Sequence, residues 1–422
     1  MKLVSLFLYI LLAVSLAGCG GYSHAENISD NYDDAVTINF FGNKYEKENV
    51  RRIEEYLAEF TDKNPHIRVT YESIKGTAYY DALMKRMATG NGDDVFMIDH
   101  DSMLKLRDEG KLADLSDLPV VDNYNAVIRD QIVEPDGSVY RLPTTISMFA
   151  MYCNLDLLKK HHQPVPQNLT EFEAVCQYFV DQGITPIVAN DDISLKTMAT
   201  GIGFAEVYMH QQAGDTMERL NKGEVPLSHY LSPGYQVVEQ FIQKGYVNGA
   251  VALKTAKTKD DLQEFAQGNS PFMLTGAWAA GRLKVLKPSF QFKLYPLPIL
   301  PQGSMLVINP DIRLAVNAHS KYKQEAIKFV EFFTEKDRIR DFANSQYSIS
   351  PLQDRSSSKE DVLQPLVQAF NDGLLVIGSD AHLQLPIWAY GKEISRKLLE
   401  GESLQQVMAE LDEKVAGDIK ND

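Results

Sequence analysis

The segment from Ser270 to Ala280 reads Ser-Pro-Phe-Met-Leu-Thr-Gly-Ala-Trp-Ala-Ala. Its apolar run from Phe272 to Leu274 is typical of a buried strand in an α/β protein. Gly276 allows a tight turn or a close approach of the backbone to a ligand, and Ala279 to Leu286 is predicted to be helical. Trp278 is therefore predicted at a strand-to-helix corner, beyond the carboxyl end of a strand, where open α/β sheets bind their ligands.

Two interpretations of Trp278 are open on this segment alone. An indole at such a corner offers a ligand a flat apolar face and an N–H donor, close to helix N-terminal amides. The same indole could instead fill the gap between the helix and the sheet. The rest of the chain is needed to choose between a binding and a packing role.

Strands and helices are predicted to alternate from Val36 onward, which indicates a parallel sheet with helices on both faces. A second series of predicted elements begins at Leu169 and is long enough for a core of its own, so two lobes are expected. The first series comprises strand Val36 to Phe41, helix Glu46 to Thr61, strand Ile67 to Ile74, helix Tyr79 to Ala88, strand Val95 to Ile98 and helix Met103 to Glu109.

The start of the chain predicts export and a lipid anchor. Lys2 is followed by an apolar run, Leu3 to Leu16, that is short for a membrane span. Leu16-Ala17-Gly18-Cys19 resembles the lipobox of bacterial lipoproteins, which implies a signal peptide over 1–18 and a lipidated Cys19. Several acyl chains give stable anchoring where one does not. Residues 19–35 are polar and rich in small residues, as expected of a flexible tether. The alternative is an ordinary secretory signal with Cys19 incidental.

Composition excludes some partners and a disulfide framework. The net charge is −15 on 422 residues, with no acidic or basic block, which argues against nucleic acid and against an anionic surface. Beyond Cys19, the chain contains Cys153 in an apolar run and Cys176 on the apolar face of a predicted helix. Both are predicted to be buried thiols rather than a bridge.

Four motifs together resemble the extracellular solute-binding proteins of ABC sugar importers, the maltose-binding-protein-like family. The resemblance covers essentially the whole mature chain. Cys153 departs from it, because tyrosine is common at that position. The motifs are Asp93 to Leu115 with its Gly-x-Leu-x-Asp-Leu exit, Leu142 to Leu158 with Tyr-Cys-Asn-Leu-Asp-Leu-Leu, Met273 to Trp278, and Lys321 to Thr334.

This resemblance implies an α/β, two-lobe, periplasmic-binding-protein-like fold. Each lobe is expected to be a mostly parallel sheet flanked by helices, with three crossings between the lobes. The expected boundaries are 36–145 and 300–349 for the first lobe, and 146–299 and 350–422 for the second.

The resemblance also implies a ligand between the lobes. Trp278 and Trp388 fall where the family places sugar-stacking aromatic residues, and Asp101 falls near an aspartate that binds sugar hydroxyls. A sugar has apolar C–H faces and a rim of hydroxyls, so flat aromatics combined with polar donors and acceptors suit it. The predicted ligand-binding residues are Asn43, Lys44, Asp99, His100, Asp101, Thr145, Ser147, Trp278 and Trp388.

Asp99-His100-Asp101 has three interpretations, which are sugar-hydroxyl binding, capping of the helix that follows, and a metal pair. Metal binding ranks last because no further His or Asp cluster stands at ligand spacing. No catalytic serine, metalloprotease or P-loop motif is present, so no enzyme activity, metal or cofactor is predicted. A pair of carboxylates for glycoside hydrolysis stays open, because their spacing is spatial.

Three function classes remain after this reasoning. The first is a monomeric lipoprotein that is anchored to the outer face of the cell membrane and delivers a carbohydrate to an ABC importer's permease. The second is a binding protein of the same fold for a non-sugar solute, and the third is an extracellular carbohydrate-active enzyme. Two tryptophans at the cleft and few clustered cations favour the first class.

Overall fold

A computed structural model of the chain describes residues 35–353, 358–373 and 375–421. The predicted signal peptide, Cys19 and all but the last residue of the predicted tether lie outside the described residues. The strands are β1 Val36–Gly42, β2 Ile67–Ser73, β3 Val95–Ile98, β4 Leu142–Asn154, β5 Ile187–Val188, β6 Phe272–Gly276, β7 Phe292–Tyr295, β8 Leu297–Leu300, β9 Gly303–Val316 and β10 Leu375–Ile377.

The strands form one mixed sheet in the order β2-β1-β3-β9-β4-β6-β5. Its outer pairs, β2-β1, β1-β3 and β6-β5, are parallel. The two long strands in the middle, β4 and β9, are antiparallel, from Leu142 opposite Leu314 to Phe149 opposite Val307. The sheet is thus parallel at its outer strands and antiparallel in the middle, because β4 and β9 cross between the lobes in opposite directions.

Helices cover the sheet and bury their apolar faces against it. In α1, which lies within one residue or two of the predicted helix, the buried residues Ile53, Leu57 and Phe60 recur at helical spacing. The helices are α1 Lys47–Lys63, α2 Thr77–Ala88, α3 His100–Asp108, α4 Ala126–Asp130, α5 Leu155–Lys160, α6 Leu169–Asp181, α7 Ile193–Met209, α8 Ala213–Asn221, α9 Leu227–Gln243, α10 Gly249–Ala252, α11 Asp260–Ala266, α12 Ala280–Val285, α13 Lys323–Phe333, α14 Lys336–Ser345, α15 Gln364–Asp372, α16 Ile387–Glu400 and α17 Leu404–Asn421.

Buried apolar side chains form two clusters. One cluster contains the inner faces of β1 to β3, α1 and α13. The other contains those of α6, α7, α9, α16 and α17. The two clusters lie on opposite faces of the central strands, because Met148 and Tyr152 of β4 belong to the first cluster and Phe149 and Met151 to the second. The residue boundaries given for the lobes above stay a prediction.

Two helices begin earlier than local sequence patterns predict. A helix is predicted over Gly234 to Lys244, but α9 already begins at Leu227 and continues through Pro233. It packs so closely on α7 that a Cβ on Gly234 would lie 2.0 Å from the carbonyl oxygen of Ala199, so tertiary packing outweighs the local effect of the proline. A helix is also predicted over Lys392 to Glu400, but α16 already begins at Ile387, which places Trp388 in its first turn.

Cys153 and Cys176 are both buried and unbridged, as predicted. Burial raises the thiol pKa of each of them, so neither is activated as a nucleophile. Within the described ranges, no helix is long and apolar enough to cross a membrane. The same ranges contain no group of three or more His, Cys, Asp or Glu side chains that could hold a metal ion.

Candidate ligand-binding cleft

Trp278 stands at the strand-to-helix corner where the sequence placed it. Strand β6 ends at Gly276, a short 3-10 helix spans Ala277–Ala279, and α12 follows. The six-membered ring of Trp278 lies over the α-carbon of Gly276. A Cβ added to Gly276 would lie only 2.1 Å from the nearest ring atom. The side chain is half-buried, so one part of the indole packs and another part stays open.

Trp388 lies beside the same aromatic ring as Trp278. The ring centroid of Phe149 on β4 is 5.5 Å from that of Trp278 and 5.2 Å from that of Trp388. Trp388 is also half-buried, and its ring lies against Gly378. The structure therefore brings the two tryptophans together around Phe149, although they are 110 positions apart in the sequence.

Asn43 and Asp101 present buried oxygen atoms on the side of the cleft formed by β1 and β3. The amide nitrogen of Asn43 donates to the Tyr80 hydroxyl at 3.1 Å. The Oδ1 atoms of Asn43 and Asp101 are buried and have no hydrogen-bond partner among the described residues. Burial, and then the negative charge of Asp99, raise the pKa of Asp101 to about 7. The positive charges of Lys196 and Arg313 oppose this rise.

Asp99 and His100 have structural roles in this region. Asp99 caps α3, since its Oδ1 accepts from the backbone N–H of Ser102 at 2.9 Å. The imidazole of His100 is buried, with Nε2 donating to the carbonyl of Leu383 at 2.8 Å and Nδ1 facing Arg141 at 3.3 Å. Burial, and then the charge of Arg141, lower the pKa of His100 to about 3. The structure does not bring His100 to the cleft surface, which differs from the predicted ligand-binding set.

The predicted residues of the first crossing lie where β4 pairs with β9. Thr145 is opposite Asp311 and is buried, so like His100 it lies below the cleft surface. The hydroxyl of Ser147 donates to the Asp311 carboxylate. Burial lowers the pKa of Lys44, and the nearby charges of Asp311 and Glu46 oppose that shift. The crossing thus holds a bonded hydroxyl and carboxylate, and the charge of that carboxylate acts on the ammonium group of Lys44 after β1.

Arg313 is a cleft residue that sequence reasoning missed. It follows Asp311 on β9, is only 7% exposed, and has no side-chain hydrogen bond or ion pair within the part of the chain that the structure describes. Its charge acts on Asp101 and on Tyr80. Ile312, which lies between Asp311 and Arg313, has a φ of 46°. This backbone conformation is strained for a β-branched residue and marks this stretch of β9 as unusual. Two charged residues, Asp311 and Arg313, inside a mostly apolar segment were the signal available in the sequence.

Contacts join the two sides of the cleft directly. Arg282, one turn after Trp278, forms an ion pair with Glu46, which follows β1. Its second contact is to the carbonyl of Thr258 at 3.1 Å. The charge of Lys196 on α7 acts on Asp101 on α3. These contacts bring the segment after Trp278 beside the segment after β1, and α7 close to the start of α3.

The sequence is similar to those of known binding proteins. The family profile of bacterial extracellular solute-binding proteins matches residues 55–365. The multiple sugar-binding protein of Streptococcus mutans is 22% identical over 380 residues, covering 86% of this chain and 85% of the relative.

Solved structures confirm the predicted two-lobe fold. The solute-binding protein RafE in complex with raffinose has a TM-score of 0.71 at 21% identity, covering 90% of this chain and 98% of RafE. The binding protein MsmE from Bacillus subtilis, in an open conformation, has a TM-score of 0.72 at 16% identity, covering 91% of this chain and 97% of MsmE. With a family profile that spans most of its length, the chain belongs to the bacterial extracellular solute-binding proteins.

Proposed function

We propose that the cleft binds a sugar or short oligosaccharide and releases it unchanged. Two observations carry this proposal: the half-buried indoles of Trp278 and Trp388 meet around Phe149, and the buried oxygens of Asn43 and Asp101 have no partner among the described residues. Indoles suit the apolar C–H face of a sugar ring, and acceptor oxygens suit its hydroxyl groups.

The unpartnered polar groups make this match specific. A buried acceptor without a hydrogen bond costs about 1–3 kcal/mol, and a donating ligand hydroxyl removes that cost. Arg313 complements the two acceptors, because a guanidinium only donates hydrogen bonds and therefore binds hydroxyl or ring oxygens of the ligand. A sugar hydroxyl both donates and accepts, so it serves Asn43, Asp101 and Arg313 alike.

The comparisons support the same substrate class. RafE was solved with raffinose, and the relative in Streptococcus mutans is a multiple sugar-binding protein. Both are binding proteins, so we propose binding and transfer to a permease rather than catalysis.

Calorimetry with a panel of neutral di- and trisaccharides, including raffinose, tests the proposal. At least one of them is expected to bind the purified protein stoichiometrically and to be recovered intact afterwards. Amino acids, peptides and phosphate esters serve as controls. Binding of one of these controls, with no response to any saccharide, would rule out the sugar assignment. Hydrolysis of the bound saccharide would instead favour an enzyme.

We also propose that the mature protein is a monomer anchored at the outer face of the cell membrane through lipidated Cys19. Leu16-Ala17-Gly18-Cys19 and the polar segment that follows support this proposal. From there the protein would deliver its sugar to the transmembrane permease of an ABC importer. Closing of the two lobes around the ligand would hide the sugar from water.

Cys19→Ser is expected to move the protein from the membrane fraction to the soluble fraction, because no acyl chain can be attached to serine at this step. Cell fractionation followed by immunoblotting measures the change. Cys176→Ser, which alters a buried thiol of the folded domain, is the matched control and should stay with the membrane. Retention of the Cys19→Ser protein on membranes after high-salt washing would contradict the lipid anchor.

A further inference from the structure

Lys196 is a lysine in the first half of α7 with only 2% of its surface exposed. Lysine is almost never fully buried unless its charge is paired. The ammonium Nζ donates to Asp192 Oδ1 at 2.6 Å and to the backbone carbonyl of Trp388 at 3.2 Å. It also lies 4.3 Å from the centroid of the Trp388 ring. The charge is therefore held against one of the two indoles of the cleft.

We propose that Lys196 is a positioning residue of the cleft, whose ammonium group fixes the Trp388 indole in the orientation that faces the ligand. This inference rests on the sugar-binding function proposed above and assigns a role to a residue that does not itself need to touch the sugar. Tryptophan is the best aromatic partner for a cation, and the attraction is larger where water is excluded.

Neutralising Asp192 does not explain why Lys196 is buried. Lys257 forms a second ion pair with Asp192, and Lys392 lies 3.8 Å from the same carboxylate. Both of these lysines reach Asp192 from more exposed positions. Asp192 would therefore keep positive neighbours without Lys196, whereas the Trp388 ring and carbonyl would lose their contacts with the ammonium group.

The packing of α16 on α7 supports a fixed orientation of Trp388. At Gly391, three positions after Trp388, an added Cβ would lie 3.1 Å from Cβ of Lys196 and 3.2 Å from the hydroxyl of Tyr235. The hydroxyl of Tyr235 also donates to the carbonyl of Gly391 at 2.7 Å. This close packing holds α16 and α7 in fixed positions relative to each other, so Lys196 contacts the indole from a backbone that cannot shift easily.

The charge of Lys196 also titrates in an accessible range. Burial lowers its pKa to about 8, against the favourable charge of Asp192. As pH rises through about 8, the ammonium loses its proton and the cation–π contact with Trp388 is lost. Sugar affinity should then fall. The charged groups that face Lys196 are Asp192 at the start of α7, Lys257 before α11, Lys392 on α16 and Asp101 on α3.

Three variants test the proposal by calorimetry with the saccharide that binds best. Lys196→Met keeps the length of the side chain and removes its charge, and it should weaken binding by about 3- to 30-fold. Lys196→Arg keeps the charge and should restore most of the affinity. Lys392→Met removes a cation from the same carboxylate but none from the indole, so it should stay within about twofold of the wild type. Equal losses for Lys392→Met and Lys196→Met would overturn the proposal.

Fluorescence provides a readout that needs no sugar. In a Trp278→Phe background, used only for this measurement, Trp388 is the single tryptophan. Its emission should change with pH around a midpoint of about 8, and Lys196→Arg should abolish this transition. The Asp101 transition, near pH 7, remains in both proteins. A Trp388 signal that is the same with Lys196 and with arginine would refute the proposal even if Lys196→Met did not fold. The proposed sugar function fails separately, when no saccharide binds the wild type.

Discussion

Trp278→Ala and Trp388→Ala are each expected to weaken sugar binding by about 2–4 kcal/mol, the scale of an interface hot spot. The reason is that each substitution removes a flat apolar face together with its buried area from the ligand. Apo stability should change far less, because both indoles are half-buried, whereas truncation of a fully buried tryptophan costs about 3–5 kcal/mol of folding free energy. Calorimetric affinity and the apo melting temperature, measured on each variant, separate the two effects.

Gly276→Ala tests the same surface without removing an aromatic ring. The added Cβ would lie 2.1–2.3 Å from three ring atoms of Trp278, so the indole must move. The backbone there is extended, with φ −75°, so alanine itself fits the conformation. Gly417→Ala on α17 is the matched control, because a Cβ at that position meets nothing within 4 Å.

The expected pattern is a loss of affinity for Gly276→Ala and none for Gly417→Ala.

A collapse of apo stability in the tryptophan variants, with unchanged affinity of the folded fraction, would show that these indoles only pack the fold. It would return Trp278 to the second interpretation of its sequence segment, that of a plug between helix and sheet.

Local sequence patterns were sufficient to predict the features of the site that depend on residues close together in the chain. The run Phe272 to Leu274 with Gly276 predicted the corner at Trp278, and the structure has β6 ending at Gly276 with a short helix next. The two-lobe fold and the family were also predictable, since they rest on element order and on motifs spread along the chain. Both buried thiols followed from their apolar surroundings.

Long-range contacts explain what the sequence could not show. His100 looked like its two aspartate neighbours, but its partner is the carbonyl of Leu383, nearly three hundred positions away. Lys196 and Trp388 meet only because α16 packs on α7. In each case the side chain's role is set by a contact whose partner no local pattern identifies.

Arg313→Met is expected to change binding and stability in opposite directions. Loss of hydrogen bonds from a charged donor should weaken sugar binding by about 1.5–3 kcal/mol. The apo melting temperature should stay the same or rise, because the substitution removes a buried charge that has no hydrogen-bond or ion-pair partner in the described ranges.

The neighbours of Arg313 determine the sign of the stability effect. Burial lowers the pKa of Arg141 to about 9, and the largest further contribution is repulsion by Arg313. Removing Arg313 therefore relieves the repulsion between these two buried guanidinium groups.

Arg141→Met is the matched control, because Arg141 is equally buried but uses its donors within the protein. It donates to the carbonyl of Gln131 at 3.3 Å and faces Nδ1 of His100 at 3.3 Å. Its loss should lower folding stability by about 1–3 kcal/mol, since these buried acceptors are left without a partner. Apo melting temperatures and calorimetric affinities of both variants distinguish a sugar-binding role of Arg313 from a structural one. If Arg313→Met lowers the apo melting temperature as much as Arg141→Met and leaves affinity unchanged, Arg313 stabilises β9 and does not bind the sugar.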